Sequence, residues 1–174
     1  MKEEVKNGRY VDGGGTVRWY KDGQFHREDG PAIEWKDGTK VWYLNDKLHR
    51  ENGPAHENLD GYKEWRINGK KHREDGPAIE YQDGSKEWWV NGKYHREGGP
   101  AIELANGHRE WYLNDKYHRE DGPAIEWSDG TKEWWLNDIQ HTEEEFNQWL
   151  EKKHLNEKLL ATLDEKPSVK KVKI

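Results

Sequence analysis

The sequence predicts an all-β repeat array, an elongated antiparallel β-meander of hairpins with an α-helical cap at its carboxyl end. Three observations support this fold class: a constant 23-residue period, two turn signals in each period, and a helical pattern that starts where the period ends. The period is marked by six histidines, His26, His49, His72, His95, His118 and His141. Self-similarity at such a spacing is typical of arrays in which each unit packs on its neighbours.

A phrase of nine residues begins at each of the first five histidines. Its full form, His-Arg-Glu-Asp-Gly-Pro-Ala-Ile-Glu, stands at residues 26–34, 72–80 and 118–126, and variants begin at His49 and His95. We expect each histidine to be a structural residue at a strand end that bonds a neighbouring unit. The arginines that follow are expected to pair with acids of the adjacent unit. Five copies of one constellation argue against a single catalytic centre.

Each period contains two dipeptides that favour tight turns. The first is Asp-Gly or Asn-Gly, at residues 37–38, 60–61, 83–84, 106–107 and 129–130. The second is Asn-Gly or Asn-Asp, at residues 45–46, 68–69, 91–92, 114–115 and 137–138. Both dipeptides admit the positive φ angles of two-residue type I′ turns. The sequence therefore predicts that every unit is built from two-residue hairpins.

The pattern divides the chain into four segments. These are an amino-terminal tail at 1–7, an array of about five to six units with a partial first unit at 8–141, a capping helix at 142–165, and a basic tail at 166–174. Thr142 and Glu145 form a capping box at the start of the helix. Apolar residues then recur at mostly helical spacing, namely Phe146, Trp149, Leu150, Leu159, Leu160 and Leu163. The helix is expected to cover the open edge of the last hairpin.

Composition indicates how such an array is held together. Only 31% of the residues are hydrophobic and 37% are charged, a balance that is otherwise typical of disorder. However, eleven Trp and eight Tyr stand mostly at fixed places in the period, and aromatic side chains bury much apolar surface per residue. We therefore predict a thin, aromatic core that runs along the array.

Several function classes are disfavoured. The chain has no Cys, which excludes disulfides and thiolate metal sites. No apolar stretch approaches the roughly 20 residues of a membrane-spanning helix, and residues 1–4 lack the apolar run of a secretory signal. A net charge of −6 disfavours direct nucleic-acid and membrane binding and suits a basic partner. We expect a cytoplasmic protein with no metal, cofactor or catalytic residue.

The expected register follows from a two-residue loop at 83–84. Counting outward places Glu80 opposite Glu87 and Ile79 opposite Trp88. Because side chains alternate between the faces of a strand, one face is expected to form the core. That face carries Ile79, Tyr81, Trp88 and Val90, and the other carries Ala78, Glu80, Glu87 and Trp89.

The second face is the candidate binding surface. It carries an aromatic series, interrupted at Arg66, and four directly opposed glutamate pairs, Glu57/Glu64, Glu80/Glu87, Glu103/Glu110 and Glu126/Glu133. Like charges at opposed positions are destabilising by about 0.2–1 kcal/mol per pair. Neutralisation by the array's own Arg and Lys, contact with a basic partner, and binding of a divalent cation are three possible explanations. The aromatic series is either part of a two-sided core or an exposed binding stripe. The candidate partner-binding residues are Glu80, Glu87, Trp89, Glu103, Glu110, Tyr112, Glu126, Glu133 and Trp135.

The phrase Lys86-Glu87-Trp88-Trp89-Val90-Asn91-Gly92-Lys93-Tyr94-His95 resembles the MORN repeat. The resemblance lies in the 23-residue period, a Trp before Asn-Gly-Lys, a His three residues after the Gly, and a later Asp-Gly. It covers roughly residues 8–141. The Arg-Glu-Asp-Gly-Pro-Ala segment departs from the family's Gly-rich segment and is similar to repeat proteins of bacteriophages and large DNA viruses. The resemblance implies an elongated, twisted β-meander with an aromatic-lined groove that serves as a scaffold or binding module, sometimes for phosphoinositides.

These observations together favour a non-enzymatic protein-binding module. We expect a phage-encoded inhibitor or sequestering protein that acts on a host factor with a basic surface, such as a defence or nucleic-acid-handling protein, in the host cytoplasm. Three alternatives remain open at this point. They are a structural scaffold that assembles as a homo-oligomer, a small-ligand or lipid binder that uses the aromatic groove, and an antitoxin-like immunity protein.

Overall fold

The computed structural model of the protein describes residues 5–164, which form a β-array followed by one helix. The helix, α1, spans Glu143–Asp164. The strands of this part of the chain, β1 to β22 in order, are Gly8–Val11, Val17–Lys21, Gln24–Phe25, Ile33–Glu34, Lys40–Val41, Tyr43–Leu44, Lys47–Leu48, His56–Glu57, Lys63–Glu64, Arg66–Ile67, Lys70–Lys71, Ile79–Glu80, Lys86–Glu87, Trp89–Val90, Lys93–Tyr94, Ile102–Glu103, Arg109–Glu110, Tyr112–Leu113, Lys116–Tyr117, Ile125–Glu126, Lys132–Leu136 and Ile139–His141.

One long antiparallel sheet organises the array. Thirteen strands follow each other along a single hydrogen-bonded path from β1 to β22, and β3 pairs with β2 beside that path. Four further hairpins, β6–β7, β10–β11, β14–β15 and β18–β19, form two-stranded sheets of their own. The predicted fold class, a long antiparallel β-meander with a carboxyl-terminal helix, is confirmed.

Each complete unit contributes two strands to the long sheet and two to a separate hairpin. In the unit at residues 79–94, β12 and β13 lie in the long sheet, and β14 and β15 form the hairpin. Neighbouring hairpins are also joined to each other, because Arg73 N donates to Trp89 O at 3.0 Å and Gly92 N donates to Lys71 O at 2.8 Å. Successive units are therefore bonded along two parallel rows of backbone contacts.

The second turn of each unit has the predicted form. Asn91 and Gly92 both have positive φ, 54° and 81°, as the central residues of a type I′ turn require. The Asn-Asp versions adopt the same conformation, with φ values of 54° at Asn114 and 66° at Asp115. Asn and Asp tolerate this region because their short polar side chains form local hydrogen bonds.

The first turn differs from the prediction. Gly84 has a positive φ of 88°, Asp83 does not, and Tyr81 N donates to Ser85 O at 2.9 Å. The loop therefore holds three residues, 82–84, rather than two. This is the type I turn followed by a left-handed Gly that antiparallel hairpins commonly use. Asp83 stabilises it by accepting a hydrogen bond from Ser85 N at 2.9 Å.

The longer loop shifts the register by one residue, so the predicted glutamate pairs are wrong. Ile79 lies opposite Glu87, and Glu80 lies opposite Lys86 on one side and Lys63 on the other. Opposed unlike charges stabilise a ladder by about 0.2–1 kcal/mol per pair. The same row places Glu57, Glu103 and Glu126 each between two basic residues, drawn from Lys40, Lys63, Lys86, Arg109 and Lys132.

The shift also changes which residues share a face. Ile79 now lies on the side of Glu87 and Trp89, whereas Trp88 lies with Glu80 on the opposite side. The predicted assignment of Trp88 to the same face as Ile79 is therefore wrong. Adjacent residues Ala78 and Ile79 are 0% and 1% exposed, so both faces of the sheet are covered. The buried apolar side chains are Ala32, Ile33, Val41, Ala55, Ala78, Ile79, Ala101, Ala124, Ile125, Leu136 and Phe146.

The helix begins at the predicted capping box. Glu145 N donates to Thr142 Oγ1 at 3.2 Å, and Thr142 N donates to Glu145 Oε2 at 2.8 Å, which lowers the pKa of Glu145. Phe146 is 2% exposed. Beyond the first three turns the helix leaves the array, and Leu155, Leu159, Leu160 and Leu163 are exposed. The cap is thus the first half of the helix, and the basic tail predicted at 166–174 lies outside the described residues.

Candidate functional site

The arginine of the repeated phrase is the centre of a compact set of contacts. Arg73 Nε donates to Asp75 Oδ1 at 2.9 Å, and Nη1 donates to Pro77 O at 3.2 Å and to Glu80 Oε1 at 3.1 Å. Its guanidinium lies over the ring of Trp65, 4.0 Å from the centroid. The acids that it binds belong to its own phrase, so the prediction of pairing with the adjacent unit is wrong.

The glycine of the phrase makes room for this guanidinium. A Cβ atom at Gly76 would lie 2.9 Å from Arg73 Cζ, closer than carbon atoms approach each other. The guanidinium is therefore held between the Gly76 backbone and the Trp65 ring, and any larger residue must displace it. The equivalent stacked pairs are Arg27 on Trp19 at 4.4 Å, Arg50 on Trp42 at 3.8 Å, Arg96 on Trp88 at 3.7 Å, and Arg119 on Trp111 at 4.0 Å.

The histidine of the phrase joins one unit to the next. His72 Nδ1 accepts a hydrogen bond from Asn91 N at 3.1 Å, across 19 residues. His118 Nδ1 accepts the equivalent bond from Asn137 N at 3.2 Å. The predicted structural role of these histidines at strand ends is confirmed. Most other positions of the phrase also have partners within the array. In the third copy, Arg73 contacts Asp75, the Pro77 carbonyl and Glu80, and packs on the Gly76 backbone.

One residue of the phrase has few structural contacts. It is the glutamate two positions after the histidine, present in all five copies as Glu28, Glu51, Glu74, Glu97 and Glu120. Two of these do have a partner, since Glu28 lies 3.2 Å from His26 Nε2 and Glu120 pairs with Lys153 of the helix. The Glu51 and Glu74 side chains are 78% and 84% exposed, and each lies near the imidazole two positions earlier, at 4.0 and 3.8 Å. A carboxylate kept in five copies at an exposed position is a candidate for external contact.

Four clefts lie between successive copies of the phrase. The cleft between the third and fourth copies is lined by the apolar residues Pro77, Trp88 and Val90, which we call its floor, and by Glu74 and Glu97 of the two successive copies. The same positions line the other three clefts, except that the proline is absent from the lining of the cleft between the second and third copies. In chain order the four volumes are about 550, 420, 770 and 520 Å³. The array therefore presents a row of similar, open cavities along one face.

The charge of each cleft is the same. The cleft between the third and fourth copies is lined by Arg73 and Arg96 and by three carboxylates, those of Glu74, Asp75 and Glu97. Two arginines and three acids also line each of the other clefts. Neighbouring clefts share residues such as Arg73, Glu74 and Asp75, so with neutral histidine the five arginines and eight acids that line the row, each counted once, carry a net charge of −3. Because the arginines are engaged in stacking and hydrogen bonds, the uncompensated charge lies on the exposed glutamates other than Glu120, which pairs with Lys153.

The opposite face uses its carboxylates internally. Glu87 accepts hydrogen bonds from Tyr81 Oη at 2.7 Å, Trp89 Nε1 at 2.7 Å and Tyr94 Oη at 3.3 Å, and Lys71 Nζ lies 3.7 Å away. The Glu87 side chain is 13% exposed. Four donors thus compensate this carboxylate, which leaves little of it for a partner.

Glu110 and Glu133 are compensated in the same way. Glu110 contacts His108 Nε2 at 2.6 Å and accepts hydrogen bonds from Tyr112 Oη at 2.8 Å and Tyr117 Oη at 3.0 Å. Glu133 accepts hydrogen bonds from Trp127 Nε1, Trp135 Nε1 and Gln140 Nε2 at 3.0 to 3.2 Å. These glutamates belong to the internal bonding of the array.

The aromatic residues of this face pack on each other. Ring centroids are 3.6 Å apart for Trp89 and Tyr94, 5.1 Å for Tyr94 and Tyr112, 4.3 Å for Tyr112 and Tyr117, and 5.5 Å for Tyr117 and Trp135. The row is continuous and its rings are half-buried. Of the two predicted roles, a second layer of the core and an exposed stripe, the packing favours the first.

Burial also changes the acidity of the tyrosines. Burial, with the nearby charge of Glu64 as a further cause, raises the pKa of Tyr62 to about 12. Burial raises the pKa of Tyr94 and Tyr112 as well, followed for Tyr94 by the charge of Glu87 and for Tyr112 by a hydrogen bond with Tyr117. At neutral pH these phenols are protonated and donate to the carboxylates.

The predicted site residues therefore divide between two faces. Glu80, Glu103 and Glu126 lie on the cleft side, where each accepts a hydrogen bond from Arg73, Arg96 or Arg119. Glu87, Trp89, Glu110, Tyr112, Glu133 and Trp135 lie on the other face. The prediction of one continuous acidic and aromatic surface is wrong, because it rested on the two-residue loop.

The exposed glutamates of the phrase were absent from the predicted site. The sequence does contain a signal for them, since the position after His-Arg is Glu in every copy while the next position varies among Asp, Asn and Gly. The invariant Glu points to an external contact only when the structure shows that the other residues of the phrase have partners within the array.

Comparisons with known proteins leave the site to be interpreted from its geometry. No protein-family model matches the chain, and no curated protein matches it. Between residues 5 and 164, no group of three or more acidic or histidine side chains is arranged to hold a metal ion. In the same range, the helix is not apolar over a length that would cross a bilayer.

Proposed function

We propose that the protein is a non-enzymatic binding module that captures a basic protein partner in its row of clefts. The observation that carries the proposal is the repetition of one cleft four times, each lined by apolar side chains, two arginines and three acids, with a net negative charge over the row. Basic residues suit such a site, because their aliphatic stems pack on apolar surface while the charged group reaches a carboxylate.

The cleft face is a better candidate than the aromatic face. Glu87 and Glu110 already have several donors each, and a partner would have to displace them. Glu51 and Glu74 need no such displacement, since their carboxylates are exposed to solvent. Contact at these residues adds a favourable charge pair without the cost of an unpaired buried donor.

The similarity of the phrase to repeat proteins of bacteriophages and large DNA viruses suggests a biological setting. In that setting, the module is an inhibitor that sequesters a basic host factor, such as a defence or nucleic-acid-handling protein, in the host cytoplasm. Repetition supports this role, because several weak contacts on one rigid array combine into strong binding.

Two matched triple variants test the proposal. Glu51, Glu74 and Glu97 are changed to Gln in the first variant, and Glu57, Glu80 and Glu103 in the second, so both lose three charges. We expect the first variant to keep its melting temperature and to bind nona-arginine about tenfold more weakly, since three exposed charge pairs contribute roughly 0.5 kcal/mol each. The second variant should have a lower melting temperature, because Arg50, Arg73 and Arg96 lose carboxylate partners, and it should retain binding.

Titration calorimetry at low and high salt measures both variants. Binding of the wild-type chain is expected to weaken as salt rises, because the contacting charges are exposed. Equal binding by both variants would show that the clefts are not the site. Selective loss of binding in the second variant would place the site on Glu57, Glu80 and Glu103.

A self-assembling scaffold is the second candidate. It is favoured by the exposed edge strand Gly8–Val11 and by the exposed leucines Leu155, Leu159, Leu160 and Leu163. Unpaired strand edges are templates for association with another chain. Light scattering over a range of concentrations distinguishes the two candidates, since a scaffold forms oligomers and a binding module for a basic partner does not require them.

A further inference from the structure

We propose that the clefts accept an extended peptide in the polyproline II conformation with a basic side chain at every third residue, one for each cleft. This inference rests on the proposed function and names the class of partner that the clefts recognise. It follows from the spacing of the clefts, their floor and their charge.

The spacing of the clefts follows from the sheet. Each unit adds two strands to the long sheet, for example β12 and β13 followed by β16 and β17. Neighbouring strands lie about 4.8 Å apart, so successive clefts are separated by about 9.6 Å. A ligand that fills several clefts must present equivalent side chains on one side at that interval.

Polyproline II geometry meets this requirement. It has three residues per turn and rises about 3.1 Å per residue, so every third side chain points the same way at intervals of about 9.3 Å. A β-strand presents same-side residues about 6.7 Å apart, which is too short. An α-helix repeats a face after seven residues, or about 10.5 Å, which departs from the interval between clefts about three times as far as the polyproline II repeat does.

The floor of each cleft suits the same conformation. In the cleft between the third and fourth phrases, Pro77 offers a ring surface, Trp88 offers the part of its indole that Arg96 does not cover, and Val90 completes the apolar area. Proline-rich segments characteristically dock on aromatic-lined grooves, because their backbone is already ordered and loses little entropy on binding. The floor therefore accommodates the residues between the basic side chains.

The charge of the row favours cations, and the placement of its glutamates favours one cation per cleft. Neighbouring clefts share lining residues, and their five arginines and eight acids, each counted once, carry a net charge of −3. Its head group is placed between two exposed glutamates, Glu74 and Glu97 in the third cleft. A second cation would meet Arg73 or Arg96 without a free carboxylate. One head group between each two successive glutamates corresponds to four basic residues over a segment of ten, the fourth of which shares Glu120 with Lys153.

Peptides of equal composition test the inference. The first is (Arg-Pro-Pro)4, which has one Arg at every third position. The second contains the same four Arg and eight Pro as Arg-Arg-Pro-Pro-Pro-Pro repeated twice, so its charge and backbone preference match but its spacing does not. Titration calorimetry with the full chain is expected to give at least tenfold tighter binding for the first peptide, and E51Q/E74Q/E97Q is expected to remove that preference.

The outcomes separate this inference from the proposed function. Equal affinity for the two peptides, lost in both cases in E51Q/E74Q/E97Q, would overturn the spacing argument and leave capture of a basic partner intact. Binding of nona-arginine but of neither proline-containing peptide would also overturn this inference alone. Failure of all three basic peptides to bind, or tighter binding of (Glu-Pro-Pro)4, would overturn both.

Discussion

At alkaline pH the array is expected to unfold as its tyrosines ionise. Burial raises the pKa of Tyr62 to about 12 from its ordinary value of 10.0, and it also raises the pKa of Tyr81, Tyr94 and Tyr112. The folded chain therefore holds these protons more tightly than the unfolded chain does. Their contribution to stability is complete below pH 10 and is lost as pH rises through the folded-state values.

The effect is large because the tyrosines belong to one row and share carboxylates. Tyr112 and Tyr117 both donate to Glu110 Oε2, so ionisation of either places a second negative charge beside it. Like charges at this distance repel, and each phenol that ionises removes a hydrogen bond. We expect a cooperative transition rather than independent titration of each group.

Tyrosinate absorbance and far-ultraviolet circular dichroism, followed together against pH, measure this transition. The two signals should change together above pH 10. The double variant Y94F/Y112F should shift the midpoint upward, because two of the groups that ionise are gone. An unshifted midpoint would show that Tyr94 and Tyr112 do not drive the transition, and tyrosinate formation with an intact sheet would contradict the account.

Removal of the Phe146 side chain is expected to have the largest effect of any single substitution at the end of the array. Phe146 is 2% exposed and lies 5.8 Å from the Trp149 ring. Loss of a buried Phe typically costs roughly 3–5 kcal/mol in the free energy of unfolding. Without this anchor the helix loses its contact with the array, and an isolated helix of this length is marginally stable.

Thermal melts and helical circular dichroism of F146A measure the loss, and L160A is the matched control. Leu160 lies on the same helix but is 63% exposed, so its removal should change the free energy of unfolding by less than about 0.5 kcal/mol. We also expect F146A to self-associate, because the last hairpin becomes an open edge. Equal melting temperatures for the two variants would show that the helix is not a structural cap.

The fold was predictable from the sequence because local signals and the period agree. Asn91-Gly92 and its equivalents specify type I′ turns, and Thr142 with Glu145 specifies the start of the helix. The Asp-Gly turn was not predictable in the same way. Asp83-Gly84 fits both a two-residue type I′ turn and the end of a three-residue loop, and the choice depends on whether Asp83 itself takes positive φ.

That one-residue ambiguity explains why the candidate site was only partly predicted. A shift of one residue moves every side chain to the other face of the strand. The two-residue loop predicted a row of opposed glutamates. In the structure the same row alternates acids and bases, with Glu80 between Lys63 and Lys86. The stacking of Arg73 on Trp65 likewise depends on the three-dimensional path of the phrase and has no signature in spacing alone.

The central claim, that a basic partner occupies the clefts and not the aromatic face, is tested most directly by the indole N–H signals of the tryptophans. An isotope-labelled chain is titrated with nona-arginine and followed by nuclear magnetic resonance. The account predicts that the cleft residues Trp65, Trp88 and Trp111 shift while Trp89 and Trp135, which donate to Glu87 and Glu133, stay in place. Shifts confined to Trp89 and Trp135 would contradict it.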